Sequence, residues 1–319
     1  MDIGIFGSWS FLPYIVRARE AVEQIKFLEV IGVKTCWIPE APGRDALTFS
    51  ALLLEETEFI CLATGIANIW LRDPETMVAG QRTLWDRFPN RFLLGLGISH
   101  QPIVNAQGHH YEKPVFQMAK YLEAMSNTPW LGESLESTPP TILAALGDMM
   151  LNLSGAQTAG AHPYLIPVAH TAKARRVLGD SALLAPEQAA IIGDDLTVMM
   201  KVARAHLARY LVLPNYTNNL KRLGFSAEEF ENGGSDALVK ALYAIGTVEQ
   251  VAERVHQHLS AGADHVAVQL LQPQMNIFPK ESWKKLVPAL RELESEKYER
   301  QPKPIIEPKL WIQEHGKHF

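Results

Sequence analysis

Residues 60–100 constrain the fold more than any other stretch, because they read as one closed strand–helix–strand unit. ICLATGIANIWL is a strand-like apolar run, and Pro74 follows where a helix can begin, since its missing N–H goes unused in a first turn. Met77, Val78, Gln81, Leu84, Trp85 and Phe88 then recur at spacings of three and four, as one buried helical face requires. Pro89-Asn90 stops that helix, and Phe92–Leu96 returns as a short apolar strand. Strands apolar on both faces and joined by amphipathic helices predict a parallel sheet covered by helices. Polar residues gather just past the strand ends, Asn68 in one loop and Ser99, His100 and Gln101 in the other. In parallel α/β folds that edge carries the chemistry.

The same pattern repeats along the chain. Strands are expected over Ile3–Phe6, Val33–Ile38, the run that opens the unit above, Phe92–Leu96, Pro140–Leu146, Gln157–His162, Gln188–Ile192 and His265–Leu271. Helical stripes separate them, among them Ala18 to Ile31 with Gly32 as the stop, and Val248 to Leu259 behind a Thr247/Gln250 capping box. Eight alternating units predict an α/β fold of the (β/α)8 TIM-barrel type, for which the 319-residue length is in range. Helical segments between Asp194 and Gly246 predict an insertion between strands seven and eight, beside the barrel mouth. Residues 1–298 are expected to form one barrel domain. Residues 299–319, with Pro302, Pro304 and Pro308 around Leu310-Trp311-Ile312, are expected to be an extended tail, laid on the barrel or against a second subunit of a homodimer.

Composition excludes several classes. Hydrophobic content of 47% with 20% charged residues rules out wholesale disorder, and a net charge of −5 gives no electrostatic reason to expect nucleic acid or an anionic membrane. No uninterrupted apolar run approaches the roughly 20 residues that span a bilayer. Cys36 and Cys61 sit inside apolar strands, so buried free thiols and a reducing, cytoplasmic setting are expected.

Several motifs fail on inspection. Leu94-Gly95-Leu96-Gly97 lacks the third glycine of a dinucleotide loop, where His100 stands, and no Gly-x-Ser-x-Gly elbow exists. His256 and His258 point to different helix faces and His109-His110 are adjacent, so no metal site is expected. What remains is a ring of residues near strand ends. Glu40 is either a reacting carboxylate at the mouth or a loop-capping one. His100 is an acid, a cofactor contact or a solvated loop residue. Trp9, Asn68, Trp70, His162, Tyr164 and Gln269 suit a flat heteroaromatic ligand, though packing accounts for each alone. Gly160-Ala161, ahead of a helix near Pro167, is either a phosphate-binding approach or a tight turn.

Taken together, TCWIPE (35–40), ATGIANIWLRDP (63–74), NRFLLGLGISH (90–100), TILAALGDMM (141–150), TAGAHPY (158–164), LLAPEQA (183–189), LPNYTNNLKRLGF (213–225) and HLSAGADHVAVQLL (258–271) form a pattern. The chain resembles the bacterial luciferase-like monooxygenase superfamily, and within it the branch that uses the 8-hydroxy-5-deazaflavin coenzyme F-420. The resemblance implies a ring-shaped cofactor at the C-terminal ends of the strands. It implies cofactor contacts from Gly65, Ile66, Asn68, Ser99, Gly160, Ala161 and His162, with Glu40 and His100 at the reacting end. It also implies a non-prolyl cis peptide at Gly65-Ile66, and Gly160 to His162 as a loop near the coenzyme phosphate. The sugar-phosphate dehydrogenases of the branch carry a histidine where this chain has Glu40, so their substrate is not transferred. The expected activity is hydride transfer between the deazaflavin and a small organic molecule. The alternatives are an FMN-dependent monooxygenase fed by a separate reductase, and a flavin-binding protein without turnover.

Overall fold

The structure is a computed structural model and describes residues 1–274 and 276–295; the expected tail lies outside the described residues. In chain order the elements are β1 (Phe6–Trp9), α1 (Leu12–Ile15), α2 (Ala18–Val30), β2 (Thr35–Ile38), α3 (Ala46–Glu55), β3 (Cys61–Thr64), β4 (Ala67–Asn68) and α4 (Pro74–Arg87). Then follow β5 (Phe92–Gly97), α5 (Gln101–Ala106), α6 (Pro114–Asn127), β6 (Thr141–Leu143), α7 (Asp148–Gln157), β7 (Gly160–Ala161), α8 (Val168–Leu178), β8 (Leu183–Leu184) and β9 (Glu187–Ile192). The last third holds α9 (Leu196–Leu211), α10 (Pro214–Arg222), a 3-10 turn (Glu228–Gly233), α11 (Asp236–Leu242), β10 (Ala244–Gly246), α12 (Val248–Ser260), β11 (Val266–Leu270) and α13 (Lys280–Ser295).

All strand pairs are parallel, in the order β10-β9-β11-β1-β2-β3-β5-β6-β7-β8, with β4 pairing β5. The sheet is curled in the manner of a TIM barrel. Ala185 N–H donates to Ala161 O while Pro186 O accepts from Ala267 N–H, so the segment carrying β8 and β9 bonds strands from both arms of the sheet. Side chains alternate across a strand, and here the two faces are distinct. Trp9, Trp37, Ala63, Leu93, Ile142, Ala185 and Ala267, each from a different strand or strand end, pack together as an inner layer. Val22, Leu28, Leu53, Met77, Leu94 and Leu143 belong to the layer between sheet and helices. Helices α9 to α11 bury Met199, Ala203, Leu207, Tyr216 and Leu238 with Ala189 and Ile191 of β9.

Two boundaries differ from the sequence reading. The first strand is Phe6–Trp9, not Ile3–Phe6, because Gly4 turns at φ 70° with its N–H on Asp2 Oδ1 at 2.9 Å. That shift moves Trp9 from a loop to a strand end. The stretch expected to hold helical segments also contains β10, which pairs with the far end of β9, Ala244 opposite Ala190. Other signals hold: Asp73 caps α4 ahead of Pro74, and the Thr247/Gln250 capping box is present.

β3 and β5 are locked by a short approach. Thr64 Oγ1 donates to Gly95 O at 2.7 Å and accepts from Gly95 N–H at 2.8 Å. A Cβ on Gly95 would stand 2.0 Å from Thr64 O, a backbone atom that cannot swing away. Gly95→Ala is therefore expected to cost about 1–3 kcal/mol of overpacking strain. Urea unfolding reads this directly; an unchanged midpoint would show that the two strands can part there.

Candidate functional site

Strand three is interrupted at the C-terminal edge of the sheet. β3 ends at Thr64, β4 resumes at Ala67, and the peptide between Gly65 and Ile66 is cis, as the resemblance implied. Gly65 N–H donates to Ile38 O at 2.7 Å and Ile66 O accepts from Glu40 N–H at 3.1 Å, so the bulge is tied to the end of β2. Ile66 lies against β5, where a Cβ on Gly97 would meet its Cδ1 at 2.3 Å. The result is a half-buried ledge of glycine and isoleucine facing the mouth.

Behind the ledge Glu40 is fully engaged. One oxygen accepts from Ala46 N–H at 3.1 Å, the other from Asn68 N–H at 2.8 Å, and Arg72 bridges both. Arg72 also pairs with Asp45. The Glu40 side chain is 1% exposed, so it presents no open carboxylate; it ties the end of β2 to β4 and to the start of α3. Asn68 is turned the same way, with Oδ1 accepting from Trp70 N–H at 3.1 Å. Trp70 Nε1–H donates to Ile98 O at 2.9 Å, which fixes the approach to the next loop. A cleft of about 420 Å³ lined by Trp70, Arg72, His109, Lys120 and Tyr121 lies nearby but shares no residue with the ledge.

At the end of β5, Ser99 is left-handed at φ 58° and His100 starts α5. His100 Nδ1 is 3.0 Å from Asn215 Oδ1, an oxygen that only accepts, so Nδ1 carries the proton and Nε2 keeps its lone pair. Burial lowers the His100 pKa and the bond to Asn215 offsets this in part. Its ring packs on Tyr216 at 5.5 Å. Gly160 and Ala161 are buried strand residues of β7 rather than a loop, and a Cβ on Gly160 would stand 1.9 Å from Leu183 O. The turn that reaches the mouth comes after them, at His162 to Leu165.

His162 lies in the inner layer. Its ring stacks on Trp37 at 4.3 Å and 10°, and Nδ1–H donates to Ala185 O at 2.6 Å. Burial pushes its pKa down to about 4, so it is neutral near pH 7. Tyr164 tilts over Trp9 at 5.2 Å while its hydroxyl meets Gln269 Oε1 at 2.9 Å and Tyr210 Oη at 2.8 Å. Beneath this turn sits Glu187, wholly buried, with its backbone N–H on Pro163 O at 2.8 Å and Oε2 accepting from Leu165 N–H at 3.0 Å. Burial raises the Glu187 pKa to about 8. Sequence reasoning passed over Glu187 and Arg72. A lone carboxylate inside LLAPEQA was a readable signal, since carboxylates are rarely fully buried without a task. Nothing local announced Arg72 as the partner of Glu40, 32 residues away.

Comparison with known proteins bears on the family and the fold. A sequence profile described as luciferase-like monooxygenase matches residues 1–265. A Mycobacterium tuberculosis (strain ATCC 25618 / H37Rv) protein provisionally named a coenzyme F420-dependent oxidoreductase is 27% identical over 176 residues. That match covers 54% of this chain and 48% of the relative, so it spans about half the relative's length. Among solved structures, the coenzyme F420-dependent tetrahydromethanopterin reductase from Methanopyrus kandleri superimposes with a TM-score of 0.74 at 15% identity, covering 90% of this chain and 98% of that one. The oxygenating constituent of 3,6-diketocamphane monooxygenase from Pseudomonas putida, solved with FMN, gives 0.65 at 14% identity, covering 89% and 96%. At such identities the structural likeness speaks for the fold.

Glu187 carries a pH signature. Its folded pKa of about 8 lies above the ordinary 4.5, so its contribution to stability is full below about 4.5 and is lost as pH rises through about 8. Glu187→Gln keeps the acceptor for Leu165 N–H and cannot ionise. The variant is expected to gain on the parent between pH 5 and pH 8.5, by about 1 kcal/mol or more in urea unfolding. An equal stability difference at both pH values would place the buried carboxyl in a more polar setting than this one.

Proposed function

The chain belongs to the luciferase-like monooxygenase family, and from that premise we propose that it is an oxidoreductase moving a hydride between a deazaflavin coenzyme of the F-420 type and a small organic substrate. We read the fold as an eight-stranded barrel in which β3 and β4 count as one strand, β8 and β9 as another, β10 is an extra edge strand on β9 outside the eight, and α9 to α11 are inserted before the last. The observation that carries the functional reading is the ledge at Gly65-Ile66. It offers an apolar, half-buried face for a flat ring, at the strand-end edge where such barrels work. The fit is chemical as well as steric. Two buried polar atoms flank Gly65, Trp9 Nε1 and His162 Nε2, and neither has a hydrogen-bond partner.

Gly65 and Ile66 would support the ring, with Ser99 and His100 at its rim and the His162–Tyr164 turn on the opposite side. When bound, the coenzyme supplies the carbon that carries the hydride. The protein's own residues orient and shield. His100 Nε2 is a candidate proton acceptor at the rim, Nδ1 being held by Asn215. Gly160 and Ala161 would contribute by placing the turn that follows them. Glu40 would act by position, since its oxygens hold Asn68 N–H and Arg72 and thereby the ledge. The relative from M. tuberculosis and the F420-dependent neighbour support deazaflavin. The FMN-bound neighbour keeps an FMN-dependent monooxygenase with a partner reductase as the second reading.

Titration of purified protein with coenzyme F-420 and with FMN, read by fluorescence quenching, decides between them. The deazaflavin is expected to bind at least about tenfold tighter, roughly 1.4 kcal/mol; equal or tighter FMN binding would replace the first reading by the second. In the same assay Glu40→Gln is expected to weaken coenzyme binding about tenfold or more by loosening the ledge, at a stability loss of about 3–5 kcal/mol. Unchanged affinity in a destabilised variant would confine Glu40 to holding the fold.

A further inference from the structure

The rim of the mouth holds a histidine whose side chain is oriented from a distant part of the chain. His100 is half-buried at the start of α5, and its carbonyl is anchored there, accepting from Ile103 N–H at 2.9 Å and Val104 N–H at 3.0 Å. Its ring is held from elsewhere. Nδ1 lies 3.0 Å from Asn215 Oδ1 and the ring packs on Tyr216 at 5.5 Å, both residues standing near the start of α10. Asn215 is 115 residues further along the chain. The interior histidines are oriented otherwise: Nδ1 of His162 meets Ala185 O at 2.6 Å, and Nδ1 of His265 meets Gly4 O at 2.8 Å. Carbonyls of that kind come with the sheet and its approaches, whereas Asn215 reaches His100 only when α10 is seated at the mouth.

A neutral imidazole carries one proton on one of two nitrogens, and the partner of either nitrogen decides which. Against Asn215 Oδ1, which only accepts, the proton is on Nδ1 and Nε2 is the acceptor. A carboxamide turned over would donate to Nδ1 instead, and Nε2 would become the donor. One side chain thus decides whether the ring offers a lone pair or a proton at Nε2. Charge has no part in this. Burial lowers the His100 pKa, the Asn215 bond raises it in part, and no charged side chain among the described residues contributes. Tyr216 is neutral too, since burial raises its pKa well above the ordinary 10. The seat of α10 is firmly built. Tyr216 and Leu220 are buried with Met199 and Leu207 of α9 and Ile191 of β9, and the Tyr216 ring meets Tyr210 at 5.1 Å. Pro214 in the first turn sets the start of the helix and with it the approach of Asn215.

We propose that Asn215 is the positioning residue of His100: it fixes the Nδ1–H tautomer and so makes the proton acceptor at the rim conditional on the seating of the inserted helix α10. With α10 in place, Nε2 is ready to take a proton from a group at the mouth. Without it, the ring is free to carry its proton on either nitrogen, and part of the population presents Nε2–H, which cannot accept. The inserted helices therefore do more than wall the mouth, because one of them prepares its base. The inference deepens the reading proposed above and rests on it only for His100 acting on a substrate. The tautomer is a property of the chain alone and is measured without any ligand.

The test uses the whole unliganded chain labelled with nitrogen-15, in which ring-nitrogen shifts tell a protonated nitrogen from a bare one. His100 is assigned among the 11 histidines with His100→Gln. The parent is expected to show the Nδ1–H form at pH 7 and a titration midpoint below the ordinary 6.5. Asn215→Leu removes the acceptor and is expected to move the tautomer ratio towards Nε2–H by about fivefold or more, the equivalent of one net hydrogen bond. Asn215→Asp can only accept and suits the first turn of a helix. It is expected to keep Nδ1–H and to raise the midpoint by about one unit or more. Asn218→Asp, an exposed change of the same charge on the same helix, is expected to move the midpoint far less. A parent ring carrying its proton on Nε2, a ratio unchanged in Asn215→Leu, or equal shifts from the two aspartates overturns the proposal. Titrating the same samples with coenzyme F-420 keeps the two readings apart. Tautomer control without coenzyme binding leaves this inference standing and removes the deazaflavin assignment, and coenzyme binding to a chain whose His100 ignores Asn215 does the reverse.

Discussion

The ledge at Gly65-Ile66 depends on one buried carboxylate. Glu40 collects Ala46 N–H, Asn68 N–H and both arms of the Arg72 guanidinium, and by doing so it joins β2, α3, β4 and the loop into α4. A buried ion pair seldom adds much net stability, because desolvating the two charges offsets most of their attraction. Its effect is conditional. Removing one partner leaves the other charged and dry, which typically costs about 3–5 kcal/mol. Such a pair therefore specifies one arrangement of the chain more than it stabilises the fold as a whole. Here the arrangement specified is the break between β3 and β4, and with it the ledge at Gly65-Ile66. Asp45 extends the network to the cap of α3, where its Oδ1 also accepts from Thr48 N–H at 2.7 Å.

The inner layer supplies the complementary constraint. Large rings from β1 and β2 fill a space that β3 and β5 leave open with Ala63, Gly65, Gly95 and Gly97, so bulk on one side is matched by small residues on the other. That asymmetry is what brings tryptophan and histidine side chains from distant strands within reach of one another. The lower pair, Trp37 with His265, is closed and fixes the floor. The upper pair, Trp9 with His162, is buried and unpaired. The same two ring types thus meet at two depths, bonded at the floor and left open beside half-exposed Gly65.

Much of this was legible in the sequence, for definable reasons. Helix α4 showed itself because its cap, its first-turn proline and its stripe all agree; β5 showed itself as an apolar run between a stop and a polar loop. The family pattern placed the cis peptide correctly at Gly65-Ile66. Failure came where an element is defined by its neighbours. β10 is three residues long and exists because β9 offers it an edge, a fact with no local trace. β1 was set too early because Ile3 and Ile5 look like strand, whereas Gly4 turns the chain between them. In the site, position was legible and partnership was not. Glu40 and His162 stood out by their placement at strand ends, yet which groups satisfy them is decided by Arg72 and Ala185, whose spacing from them carries no period.

The upper rim is built from a different part of the chain than the floor, and this has a consequence for specificity. Asn215 and Tyr216 of α10 and Tyr210 of α9 meet His100 and Tyr164, which are carried by loops after β5 and β7. The floor is sheet, where changing one side chain disturbs two strands and the packing behind them. The rim is a helix pair whose core, Met199, Ala203, Leu207 and Leu220, is shared with Ala189 and Ile191 of β9 and is distinct from the Trp9–Trp37 inner layer. Changes to α9 and α10 can therefore reshape what the mouth admits while the Glu40 network, the ledge and the Trp37–His265 floor stay as they are. The Gly65-Ile66 ledge and the Trp37–His265 floor thus stand on the sheet, while the helices over the mouth pack largely in a different hydrophobic cluster.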